Sequence, residues 1–303
     1  MNHPSSLSEE QIRKVLRGIT VPPQPQIIVD IHMEQAMPTP DINHIAKLIS
    51  QDVGLAGSIL KLVNSNLFGR KNHISSIEQA VHIVGLQSIV HIVEGLSIKG
   101  EMTDETIVAM GGLWDSAMEI ASYCATLARM IGYQSPDKAY CLGLFHNCGV
   151  PLLIKSFANY PDIMEEAYGD TDARVIDTEN RILKTNHAVV GYYVAKSWHL
   201  PRDLCEVIAE HHNARILFNS GAVYAYDGGK KTLLAILKMA EHITGLYDIL
   251  GRQQQDYEWE SIRPWVLEFV GLSEIDFDDI YEDIKMGNTT SAHGSYYDQS
   301  AKR

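Results

Sequence analysis

Apolar positions recur along this chain at intervals of three and four and rarely alternate, the mark of amphipathic helices rather than strands. In "SEEQIRKVLRGI", Ile12, Val15, Leu16 and Ile19 form one stripe, with Ser8 as a candidate cap and glutamates in the first turn. "VPPQPQ" interrupts the pattern, and Pro25 can open a helix running on through Met33 and Ala36. "PTPDINHIAKLISQDVGLAGSILKLVNSNLFG" divides into a helix from about Asp41 to Ser50 and another from about Val53 to Val63, closed by a polar Asn64-Ser65-Asn66 corner. Ser76 caps the next helix, and Gly85 separates it from its neighbour.

Apolar density falls around "IKGEMTDETIV", where a joint between subdomains is expected. Beyond it Leu113, Ala117, Ile120, Ala121, Cys124, Leu127 and Ala128 recur at helical spacing. Pro136 opens the helix that delivers His146, Gly149 is expected to end it, and Pro151 begins the next. Three helices follow, with Asn186 as a cap and Pro201 at a helix start. "KKTLLAILKMAEHITGLYDIL" reads as one long amphipathic helix, and two more reach residue 286. The polar, small composition from Gly287 predicts a disordered tail. The predicted fold is all-α with two helical lobes, residues 1–103 and 104–286, and a tail over 287–303.

Composition narrows the function. An apolar share of 45% with 21% charged residues supplies a sizeable core over 303 residues. Net charge is −13, which argues against nucleic acid or an anionic membrane as partner. No signal peptide and no run of eighteen apolar residues is present, so a cytoplasmic location is expected. Cys124, Cys141, Cys148 and Cys205 lie in apolar helical contexts without a CxxC pair and read as reduced, buried thiols. "DGGKKT" lacks the spacing of a phosphate-binding loop and reads as a loop before a helix cap. His44, His82, His91 and His242 sit among polar helix positions and are expected at the surface. Trp198 reads as a core anchor. Gly191, four residues after His187, would let another backbone approach that face.

Several separated motifs resemble the HDOD family, the HD-related output domain of bacterial signalling proteins. "VPPQPQ" resembles its LPxLP-like start. Asp52, Leu55, Leu60, Asn64 and Ser65 follow in order, then Ile74, Ser76, Ile77, Ala80, Val81, Val84 and Gly85. Val21, Gln24, Val53 and Val84 are small departures. The resemblance continues through "LWDSAMEIA", "GLFHNCGVPLL" and "ENRILKTNHAVVGYYVAKSWHLPRDLCEVIAEHHN", covering about residues 20–217. It implies an HD-like second lobe and a regulatory module that binds a protein partner or a small nucleotide. No receiver, PAS or GGDEF-like segment is read here, so a stand-alone module is expected.

The resemblance also poses a metal question. Working HD phosphohydrolases bind a divalent cation through a His, a His-Asp pair and a later Asp. The cation activates water and polarises the phosphoryl oxygens. At the matching positions this chain has Ser116, His146-Asn147 and Glu241. One ligand is missing, one has lost its charge and one is longer by a methylene, so no hydrolysis is expected. Against that, His146, Glu179, His187, His211 and His212 match positions that supply further ligands in the related HD-GYP phosphodiesterases. Converging imidazoles suit iron, zinc, nickel or manganese. The plain expectation is no cofactor, the histidines being remnants that hydrogen-bond across helix junctions. His211 and His212 diverge by about 100° on a helix and reach one centre only if the helix ends there.

Overall fold

Side-chain caps set where the helices begin. Asp41 accepts from the backbone N–H of Asn43 and His44, Asp52 from Leu55, Ser76 from Gln79 and Asn186 from Val189. The computed structural model describes residues 9–19, 26–64, 74–97, 111–219 and 228–286, and among these the chain is helical with no strand. Ser8, Pro25, the expected joint at 98–108 and the tail from Gly287 lie outside the described residues.

The first group of helices is α1 (Glu9–Leu16), α2 (Gln26–Gln35), α3 (Ile42–Gln51), α4 (Val53–Val63), α5 (Ile77–Val84) and α6 (Leu86–Ser97). Asn64 ends α4 and ties it to the chain ten residues on, its Nδ2 donating to the Ile74 carbonyl and its Oδ1 accepting the Ile74 N–H, both at 2.7 Å. The polar corner therefore replaces a backbone ladder.

The second group runs α7 (Gly111–Met130), α8 (Pro136–Phe145), α9 (Val150–Ser156), α10 (Tyr160–Gly169), α11 (Val175–Leu183), α12 (His187–Ser197) and α13 (Arg202–Glu210). A 3-10 turn, His211–Asn213, then leads to α14 (Ala214–Asn219), α15 (Gly228–Thr244), α16 (Leu246–Gly251), α17 (Tyr257–Val270) and α18 (Glu274–Lys285). Helix α7 lies against α8 and α15, and α12 against α13. A Cβ on Gly143 would stand 2.7 Å from the Ala121 Cα, so α7 and α8 touch backbone to backbone.

Buried side chains from Ile28 in α2 to Ile284 in α18 form one continuous cluster. The expected pair of lobes thus shares a core, with α6 packed on α8. His91 makes that junction. It is buried rather than at the surface, because its Nδ1–H donates to Asp137 across the helix pair at 3.0 Å. His242 is half-buried and stacks on Trp259, whereas His44 and His82 are exposed as expected. Trp198 is a core residue and all four thiols are buried.

Three boundaries differ from the sequence reading. The helix carrying "YCLGLF" stops at Phe145 with His146 as its cap, and 146–149 form a turn. The long C-terminal helix breaks at Gly245, whose φ of +80° no continuous helix allows. Helix α15 starts at Gly228, two residues ahead of the Lys230 at which the apolar pattern begins, so Gly228 and Gly229 are helical rather than loop.

Candidate functional site

Four histidines converge where α8, α12 and α13 end or begin. His146 caps α8, His187 is the first residue of α12, and His211 and His212 form the 3-10 turn after α13. Both neighbours reach one centre although successive residues of a 3-10 turn still diverge by about 120°, because their rings swing together to a centroid distance of 4.2 Å. His187 Nε2 lies 3.2 Å from His211 Nε2 and 3.1 Å from His212 Nε2. One ligand atom from each of these three residues falls within 4.8 Å of the others. The His146 ring stands edge-on to His211, centroids 5.6 Å apart. All four side chains are at most 2% exposed.

The outer nitrogens decide which inner ones are free. His146 Nδ1–H donates to the Gly143 carbonyl at 2.6 Å, and His211 Nδ1–H to the Ile208 carbonyl at 2.7 Å. His187 Nδ1–H donates to Glu179 Oε2 at 2.6 Å, and His212 Nδ1–H to the Glu258 carboxylate at 3.0 Å. Each acceptor takes the proton on Nδ1 in a hydrogen bond, which turns the Nε2 of each ring inward. Carbonyl or carboxylate partners behind the rings are the usual support of metal-bound histidine. Three lone pairs at such range repel unless a cation lies among them. Metal–nitrogen bonds of about 2.0–2.1 Å place tetrahedral ligands roughly 3.4 Å apart, close to the spacings here.

Glu179 differs from the ligand role expected for it. It is fully buried, behind the His187 ring, and accepts three bonds: from His187 Nδ1–H, from the His187 backbone N–H at 3.0 Å, and from Tyr160 O–H at 2.7 Å. The backbone donor is one that the first turn of α12 would leave unsatisfied. Ser116 donates to the Leu113 carbonyl at 2.8 Å and lines, with His146 and Asn147, a small cavity of about 20 Å³, room for about one water. Glu241 sits on α15 with Oε1 3.5 Å from His146 Nε2. His146 Nε2, Asn147 Oδ1 and Glu241 Oε1 are buried without hydrogen-bond partners. Orphaned acceptors beside three converging lone pairs fit a bound cation, which His187, His211 and His212 would hold.

Sequence reasoning missed Lys238, Glu258 and Tyr160. Lys238, 3% exposed, donates to Glu241 Oε2 at 2.8 Å and to Glu258 Oε2 at 3.0 Å. Burial pulls its pKa down, but the two carboxylates outweigh burial and hold the ammonium above its ordinary range. Its one signal was a lysine inside the apolar "LLAILKMAEHI". Contacts now run from His146 through Glu241, Lys238, Glu258 and His212 to His187 and His211.

Burial also sets the charge of the rings. It pushes His146 down to about 3 and holds His211 and His212 well below 6.5. As pH falls through 6.5, the unfolded chain takes up protons that these folded rings refuse, so the stability they carry is whole above 6.5 and lost below it. Burial raises Glu241 from 4.5 to about 7 despite Lys238, which gives the opposite slope over that interval for one group. Three groups against one leave about 2–3 kcal/mol lost per pH unit between about 6.5 and 4.5. Thermal melts in EDTA are expected to show a falling melting temperature from pH 7 to pH 5. A flat profile would contradict these neutral rings.

A family model for the HDOD domain matches residues 21–214. The chain belongs to the HDOD family. An uncharacterised protein of Treponema pallidum (strain Nichols) is 29% identical to this HDOD chain over 199 residues, 64% of the chain and 38% of that relative. The chain thus spans well under half the length of the curated relative it matches. An HDOD domain protein of unknown function from Geobacter sulfurreducens superposes with a TM-score of 0.62 at 21% identity, covering 93% of this chain and 96% of the other. A protein from Shewanella amazonensis SB2B, described as a candidate metal-dependent phosphohydrolase, superposes with a TM-score of 0.62 at 19% identity, over 94% and 99%. These likenesses show the fold. The HDOD match includes the four histidines, Asn147 and Glu179, whereas Lys238, Glu241 and Glu258 lie beyond it. No helix among the described residues is long and apolar enough to cross a membrane.

Proposed function

We propose that this HDOD chain is a non-catalytic regulatory module that binds a protein partner, and that its histidine cluster holds one transition-metal ion as a structural element. The observation that carries this reading is that the Nε2 atoms face one another inside the protein, on side chains at most 2% exposed. A phosphate ester needs a cleft beside the metal, and the cavity at His146 admits about one water. The donor set supports the same reading. Asn147 offers a neutral oxygen where a bridging carboxylate is required, and Glu179 is consumed by three donors. A bound ion would act as a Lewis acid. On the His146 side the residues around it leave no room for a substrate, and the carboxylates of Glu241 and Glu258 are both engaged by Lys238. A metal at the junction of α8, α12 and α13 instead braces the surfaces those helices present.

A separate cleft favours a second reading, a small nucleotide as effector. It has a volume of about 230 Å³ and is lined by Tyr168, Arg174, Arg215, Tyr257 and Ser261, with His212 and Glu258 at its inner side. Thermal stabilisation by a nucleotide that is recovered intact would support that reading. The principal test is phosphodiester turnover by metal-loaded protein, expected at the level of the His146→Ala variant.

A further inference from the structure

Two carboxylates, Glu241 and Glu258, reach the histidine cluster from α15 and α17, and both are turned toward the same point. At that point stands the Lys238 ammonium, 2.8 Å from one and 3.0 Å from the other. The opposite oxygen of Glu241 faces His146, and Glu258 also accepts from His212 Nδ1–H. Lys238 is therefore embedded in the ring of donors rather than placed beside it. Its side chain is 2% exposed, and a buried cation of that kind persists only with anionic partners. The converse holds too: without it, two converging carboxylates would need another positive charge.

We propose that Lys238 is a built-in counter-ion that fills a second cation position at this centre and restricts the protein to a single metal ion. This rests on the reading of the three histidines as a metal site. An ammonium is a compact point charge on a flexible stem, so it can sit between carboxylates where a divalent ion would otherwise bridge them. Glu258 touches both His212, on its outer Nδ1, and Lys238, and Glu241 touches Lys238 and faces His146, so the lysine position is joined to the imidazoles through two carboxylates. Glu258 lies on the wall of the wider cleft with His212, so the carboxylate pair is reached from the surface at one of its members. The chain thus carries a pair of carboxylates suited to a second divalent ion, with a lysine closing the position.

The test is the number of manganese ions bound, measured by calorimetry and by elemental analysis after gel filtration, in the full chain and in Lys238→Ala. The variant is expected to bind one equivalent more than the parent and to gain more melting temperature from added Mn²⁺. An added Glu241→Gln exchange should remove that extra equivalent. If Lys238→Ala fails to fold, Lys238→Gln carries the test, because its amide keeps N–H donors between the carboxylates while removing the charge. Equal metal counts in the parent and a folded variant would overturn the proposal. A parent count of zero that rises to one in the variant would overturn the three-histidine site and leave the counter-ion role supported.

Discussion

Exchange of Glu179 for Ala is expected to cost about 3–5 kcal/mol of folding stability and to weaken metal binding 10- to 100-fold. The side chain is fully buried and satisfies three donors from two other groups, the Tyr160 hydroxyl and both N–H groups of His187. Its removal leaves all three without partners where water has little access, and the penalty for each is of the order of 1–3 kcal/mol. The His187 ring also loses the acceptor that keeps its proton on Nδ1, so the tautomer that offers an inward lone pair is no longer enforced. Glu179→Gln separates the two effects. Its carbonyl can still accept, but its NH₂ opposes one of the donors, so about 1–3 kcal/mol should be lost while metal affinity falls by a similar factor. Urea unfolding in EDTA and competition for Zn²⁺ against a chelating dye measure the two quantities separately. An unchanged affinity in both variants would remove Glu179 from any role in holding the histidine.

Gly149→Ala should be nearly as damaging, although it adds only a methyl group. A Cβ there would lie 2.1 Å from the His187 carbonyl oxygen and 2.8 Å from the Gly191 backbone nitrogen. Both obstacles are backbone, so no rotamer change relieves the clash, and the 146–149 turn must separate from α12. That separation draws His146 and His187 apart and opens tightly packed core. We expect about 3–5 kcal/mol of destabilisation and loss of tight metal binding. Gly57→Ala is the matched control. Gly57 lies inside α4 with nothing within 4 Å of the added Cβ, so the exchange should stabilise by about 0.5–1 kcal/mol. Equal stabilities for the two variants would show that the close approach at Gly149 is dispensable.

The helical class was legible because the apolar spacing is strong nearly everywhere, and the caps Asp41, Ser76 and Asn186 mark their helices by local chemistry alone. The histidines were legible through family motifs and through the expected end of the helix at His211 and His212, where the α-helix does stop, at Glu210. The break at Gly245 was hidden, since apolar periodicity continues on both sides of a backbone reversal that only the φ angle reveals. The sequence marks Gly191 for a close backbone approach and Gly149 only as a helix stop, whereas the tighter contact falls on Gly149, against the backbone of His187 and Gly191. His91 reads as a surface residue from its place among polar helix positions, and its partner Asp137, 46 residues away, leaves no local signal. Lys238 and Glu258 have the same difficulty. Their meeting depends on α15 packing against α17, and the hydropathy of either helix carries no record of it.

Phosphodiester hydrolysis by protein of known metal content tests the central claim most directly. Protein loaded in turn with manganese, iron or magnesium would be assayed on bis(p-nitrophenyl) phosphate and on a cyclic dinucleotide, with His146→Ala alongside. The expected result is a bound transition metal and a rate no higher than that of His146→Ala. Metal-dependent turnover that disappears in His146→Ala would contradict a centre without chemistry.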